Sequence, residues 1–182
     1  MAAIDFFDAP SRREVEQRLG TLDLALRAPS ASPDPAQPLA ELTGRTWVTR
    51  RGVHVDRIAC AWLIRRFVDP QAAFKFVAPG GYVPEPAELR FDMFEAEFTH
   101  EGDKCSFEVL LARRRLADPA LHAVGEIIHD IDIKDGKFRR EETAGVAHLI
   151  DGIVSAHDDD ERRIARGSAM LDDLYVFFGG RG

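Results

Sequence analysis

Near the start of the chain, Val15, Leu19, Leu22 and Leu26 repeat at helical spacing, and Ser11 with Glu14 makes a capping-box pattern ahead of them. This predicts a separate amphipathic helix over residues 1–27, whose apolar stripe must bury against the main domain or a second subunit. In the second case the helix builds a homo-oligomer. The run from Ala28 to Pro38 (APSASPDPAQP) cannot continue a helix and reads as a Pro-rich linker, placed at 28–41. A compact domain is expected over 42–182.

Within that domain the apolar pattern changes period. Thr46–Arg50 reads as a strand, and Asp56 is positioned to cap a helix running to about Val68, where Asp69-Pro70 stops it. That helix is apolar nearly all round apart from Arg57, Arg65 and Arg66, as a buried core helix would be. Ala73–Val77 alternates and reads as the next strand, and Leu89–Met93 and Ala96–His100 read as two short strands around a turn. Helices follow at about Ser106–Arg115, Pro119–Ile133, Glu142–His157 and Asp160–Phe178. Asp118-Pro119 makes a good helix start, the aspartate capping and the proline suiting the first position. Strands early and helices late give an α+β class: a small early sheet with a buried crossover helix, then a helical C-terminal half.

The bulk numbers narrow the function. The chain has 182 residues, 45% hydrophobic and 30% charged, as an ordinary globular protein does. Its net charge of -7 argues against nucleic acid held through phosphate contacts. No apolar run reaches membrane-spanning length and no signal segment is present, so no membrane partner and a cytoplasmic location are expected. Two cysteines, Cys60 and Cys105, are expected as thiols rather than a disulfide.

The candidate chemistry concentrates between Phe91 and Asp132. His100 ends a predicted strand, where scaffolds present ligands. Cys105 and Glu108 open the next helix, with Ser106 as the expected cap; a helix N-terminus favours a thiolate, making Cys105 either a reactive thiol or a small buried hydrophobe. In the helix from Pro119, Leu121, Val124, Ile128 and Ile131 form the core face. His122, Gly125, His129 and Asp132 make a second stripe beside it, and Asp130 is placed toward solvent. On that stripe Gly125 would let another backbone or a ligand approach. His129 and Asp132, three residues apart, can both reach one ion, or can simply hydrogen-bond each other at the helix end.

Glu142 is expected on the same face as Val146, Leu149, Ile150 and Ile153, where an inward carboxylate needs a metal, an arginine or backbone donors. His148 is expected in solvent, His157 at a helix end, and Asp158–Asp160 as a cap plus solvated charge. The candidate metal set is therefore His100, Glu108, His129, Asp132 and Glu142. Mixed imidazole and carboxylate ligands suit Mn, Fe or Zn better than Ca or Mg. Arg57 and Arg65 are candidates to hold a small oxyanion, and Cys105 a candidate electron donor. No phosphate loop, GxSxG or HExxH motif occurs.

Trp47-Val48-Thr49-Arg50, the run from Val55 to Phe67 with Asp69-Pro70, Phe91-Asp92, His100-x-Gly102-x-x-Cys105-Ser106-Phe107-Glu108 and Ile128-His129-Asp130-x-Asp132-x-Lys134-Asp135-Gly136 resemble one family. It is the chromate-resistance domain that forms the C-terminal part of ChrB regulators, and the resemblance spans roughly Trp47 to Phe178. It implies a role in bacterial chromate resistance, a stress response, with chromate as a possible small-anion partner. The long N-terminal DNA-binding region of the regulators is not expected here. The alternatives are a metal-dependent enzyme acting on an unrelated small molecule, or a non-catalytic sensor or interaction module docking through its N-terminal helix.

Overall fold

A computed structural model of the protein describes residues 42–180, so the expected helix over 1–27 and linker over 28–41 lie outside the described residues. The described part opens with strand β1 (Thr46–Arg50), buried at Trp47, Val48 and Thr49. Such unbroken burial suits the middle strand of a parallel sheet covered on both faces. β1 does lie between two parallel neighbours, β2 (Ala73–Val77) and β3 (Glu88–Arg90), with Trp47 in register with Phe74 on one side and Leu89 on the other.

Helix α1 (Val55–Leu63) crosses from β1 to β2 and is buried at every position except Arg57. Its N-cap is His54, not Asp56, whose carboxylate is used elsewhere. The helix continues to Val68 as expected, but its last turn, Ile64–Val68, widens into π form, closed by Asp69 N–H on the Ile64 carbonyl at 2.7 Å. Asp69 does more than stop the helix. Its buried carboxylate accepts from the N–H groups of Gly44, Arg45 and Gln71 and from Trp47 Nε1, at 2.8–3.1 Å. Burial alone would raise its pKa; these four donors outweigh it and hold the carboxyl below its ordinary range.

The two strands expected over 89–93 and 96–100 form only in part. β3 ends at Arg90, and a single bridge, Phe91 to Phe98, follows it. The reason is local: Asp92 and Glu95 take left-handed backbone angles (φ 44° and 57°), which no extended run accommodates.

Four helices complete the domain: α2 (Ser106–Arg114), α3 (Pro119–Asp132), α4 (Thr143–Ala156) and α5 (Asp160–Phe177). The expected bounds hold to within one or two residues. Asp118 caps α3 by accepting from Ala120 N–H, and Asp159 caps α5 through Arg162 N–H. Asp160, in the run expected to be a cap plus solvated charge, accepts the Gly52 and Val53 N–H groups at 2.9 Å, tying α5 to the loop before α1.

Around α1 the packing is close. A Cβ on Gly167 of α5 would stand 2.3 Å from Ile58 Cγ2, so glycine sets the approach of the two helices. Trp62 lies parallel to Phe107 of α2, ring centroids 6.3 Å apart. Gly125 of α3 makes room for the Phe107 ring, at 3.3 Å from an added Cβ, rather than for a backbone or ligand. Helix α4 departs most from expectation: Val146 and Ile150 are buried, but Leu149 is 57% exposed. None of the described helices is long and apolar enough to cross a membrane.

Candidate metal centre

Four side chains from four separate segments converge at the N-terminus of α2. Asp56 enters from the first turn of α1 and is buried; its Oδ2 accepts from Ser106 N–H at 2.8 Å and its Oδ1 from Phe107 N–H at 3.0 Å. The carboxylate thus caps α2 from a distance, a role expected of Ser106. The N-cap position itself is Cys105, and the Ser106 hydroxyl donates instead to Asp92 Oδ1 at 2.9 Å. Asp92, aimed by its left-handed backbone, also pairs through Oδ2 with Arg57 Nε at 3.1 Å.

His100 completes the group. Its Nε2 lies 3.2 Å from Asp132 Oδ2, 3.4 Å from Asp56 Oδ2 and 3.7 Å from Asp92 Oδ1. Ligand atoms of Asp56, Asp92 and His100 all fall within 4.8 Å of one another, a spacing one ion can span. Three carboxylates so close repel each other. Burial, then the Asp56 and Asp92 charges, push the Asp132 carboxyl up to about 6. Burial and Asp56 likewise raise Asp92, against Arg57. The His100 pKa rises for the complementary reason, its hydrogen bond to Asp56 and the surrounding negative charge.

A second group stands beside the first residue of α2. Glu108 Oε2 accepts from Cys105 N–H at 3.0 Å and lies 2.6 Å from His129 Nδ1. His129 is fully buried, and its Nε2 faces Asp135 Oδ2 at 3.3 Å. Burial opposes charge on this imidazole, but carboxylates at both nitrogens outweigh it and raise its pKa. Cys105, Glu108 and His129 offer ligand atoms within 4.8 Å of one another, as do His129, Asp130 and Asp135.

The expected set is therefore divided. Asp132 joins His100, not His129, because it is the last residue of α3 and turns toward α1 and the loop carrying His100. Asp130, expected in solvent, is 8% exposed and accepts from the Phe138 and Arg139 N–H groups, anchoring the loop after α3. Cys105 is fully buried, and burial followed by the Asp56 charge pushes its thiol far up, which favours the small buried hydrophobe of the two expected readings. Glu142 is half-buried at the N-cap of α4, 4.0 Å from Arg140, and belongs to none of the three groups among the described residues.

The two arginines also part company. Arg57 sits at the first group, committed to Asp92 and to the Gly52 carbonyl at 3.0 Å. Arg65 lies over the Phe74 ring, 4.5 Å from its centroid, with its guanidinium reaching the Ala72 carbonyl. Asp56, Asp92 and Asp135 lie within the family-like motifs but outside the expected ligand set. The available signal was the Asp-Arg pair at 56–57 inside an otherwise apolar helix, where a buried charge needs a partner.

Comparison with known proteins agrees with the motif pattern. The family described as the ChrB C-terminal domain matches residues 47–178. The chain is 36% identical over 184 residues to Protein ChrB of Cupriavidus metallidurans, an alignment covering 96% of this chain and so reaching well ahead of Trp47. The chain spans 56% of that relative's length. No solved structure matches.

Proposed function

The chain belongs to the ChrB C-terminal domain family, and from that membership we propose a chromate-resistance-associated protein built around a divalent transition-metal site. Its ligands are Asp56, Asp92, His100 and Asp132. The observation that carries this reading is the convergence of three carboxylates on His100 Nε2, with Arg57 the only arginine or lysine paired to any of the three carboxylates among the described residues. A bound cation would relieve that repulsion.

One imidazole with three carboxylates is a hard, oxygen-rich set, which favours Mn(II) or Fe(II) over Zn(II). Such ions take about six donors, so positions remain for water or an exogenous ligand. In this reading an oxyanion is drawn to the metal, since Arg57 is already paired with Asp92 and Arg65 is stacked on Phe74. Cys105, Glu108 and His129 make a softer second set. It is the weaker candidate, because a metal there must displace both the thiol proton and the Glu108–His129 hydrogen bond.

Elemental analysis of the protein purified without added metal, followed by Mn(II) titration, tests the reading. Close to one equivalent is expected, with affinity reduced about tenfold or more in His100→Ala and Asp132→Asn. Absence of saturable binding of Mn, Fe and Zn would overturn it.

A further inference from the structure

Between the end of α3, the loop after it and the first turns of α4 lies a cavity of about 550 Å³, within the roughly 300–1,000 Å³ typical of small-molecule sites. Asp132, the carboxylate that faces His100, is part of its lining. Lys134, Arg139, Arg140 and Thr143 line it as well, and Val55, Ile131 and Ala147 supply apolar wall.

The charge that is free to meet a ligand differs from the charge present. Asp130 is used by the Phe138 and Arg139 N–H groups, Asp151 by His54 at 3.0 Å, and Arg140 by Glu126 at 2.6 Å. Lys134 Nζ has no described partner, and Arg139 spends only its Nε, on the Gly136 carbonyl at 2.9 Å. Against these two cations the exposed Glu141 is the lining carboxylate without a described partner. Thr143 Oγ1 is buried and unpaired, and the first turn of α4 has no side-chain cap. Lys134 and Arg139 are also both held in left-handed backbone, φ 62° and 52°, where glycine or asparagine would sit at lower cost.

We propose that this cavity binds a small organic anion, its carboxylate or phosphate group held by Lys134, Arg139 and Thr143, and presents it to the metal at Asp132. The last step rests on the metal reading above. The size and the apolar wall argue for a carbon skeleton. A bare tetraoxyanion occupies on the order of 100 Å³, judged against about 30 Å³ for a water, and would leave most of the cavity empty.

Isothermal titration of the full chain loaded with Mn(II), using citrate, glycerol 3-phosphate and inorganic phosphate, tests the proposal. At least one organic anion should bind saturably and about tenfold more tightly than inorganic phosphate. The carboxylate and phosphate arms identify the headgroup. The double variant Lys134→Asn, Arg139→Asn, whose asparagines tolerate the left-handed backbone, should weaken that anion about tenfold and leave Mn(II) affinity unchanged. No saturable binding, binding indifferent to the double variant, or inorganic phosphate binding as tightly as the organic anions would each overturn it. If Mn(II) does not bind, the metal reading has failed, and the same titrations on the metal-free chain still decide the pocket.

Discussion

Asp56, in the first turn of α1, accepts the backbone N–H of Ser106 at 2.8 Å across fifty positions of sequence. With the Phe107 contact, this one side chain caps α2, and its Oδ2 also faces His100. Support of the fold and assembly of the candidate centre therefore share a residue. Asp56→Ala strands two buried donors and should cost about 3 kcal/mol, read by chemical denaturation. A loss below about 1 kcal/mol would show that water satisfies those donors.

His100 and His129 should separate cleanly. His100 is half-exposed, with Nε2 facing the Asp56, Asp92 and Asp132 carboxylates, so His100→Ala should lower the denaturation midpoint less than His129→Ala does while metal affinity falls. His129 is fully buried against Glu108 and Phe138, so His129→Ala should cost about 2–4 kcal/mol with a smaller effect on metal.

The pH dependence follows from the same geometry. The Asp132 carboxyl, raised to about 6, contributes most stability below its unfolded value and loses it as pH climbs through about 6. His100 and His129, also raised, contribute stability that is full below their unfolded value and lost as pH rises through their folded ones. All three slopes share a sign, so these groups together take stability from the metal-free protein as pH rises from the ordinary carboxylate range through the raised histidine range. Asp132→Asn should flatten the acid part of that decline. Metal affinity should run the other way, rising with pH through about 6 as Asp132 gives up its proton. Thermal melts with and without Mn(II) across this range check both slopes.

Neither cysteine should react readily in the native state. Cys60 and Cys105 are buried, and both thiols are pushed well up, chiefly by burial and next by Asp56. Thiol labelling at neutral pH should be slow until denaturant is added. Fast labelling of Cys105 in the folded chain would contradict its protonated, buried state.

Gly167 offers a packing test at a residue outside the proposed ligand set. Gly167→Ala drives a methyl to 2.3 Å from Ile58 Cγ2, and α5 must move from α1. About 1–3 kcal/mol of destabilisation is expected. An unchanged melting temperature would mean that Ile58 simply changes rotamer.

The sequence made the elements legible because period and punctuation are local. Asp118-Pro119 marks the start of α3 to the residue, and the all-round apolar run from Val55 identifies a buried crossover helix. Which side chains meet was harder to see. On a wheel His129 and Asp132 share a stripe, yet Asp132 at the helix end turns to His100 while His129 finds Glu108. Asp56 looked like a cap for its own helix and caps another. Asp92 owes its aim to a left-handed backbone that no periodicity encodes. Tertiary geometry, not residue type, decides these pairings.

The order in which the chain is made adds one more consequence. Asp56, Asp92 and His100 are synthesised well before Asp132, which waits for the last turn of α3 to form. If these four residues hold a metal as proposed, a nascent chain on the ribosome would carry an incomplete ligand set until that helix forms. On the proposed metal reading, a fragment released before α3 is complete would lack Asp132 and so one of the four proposed ligands.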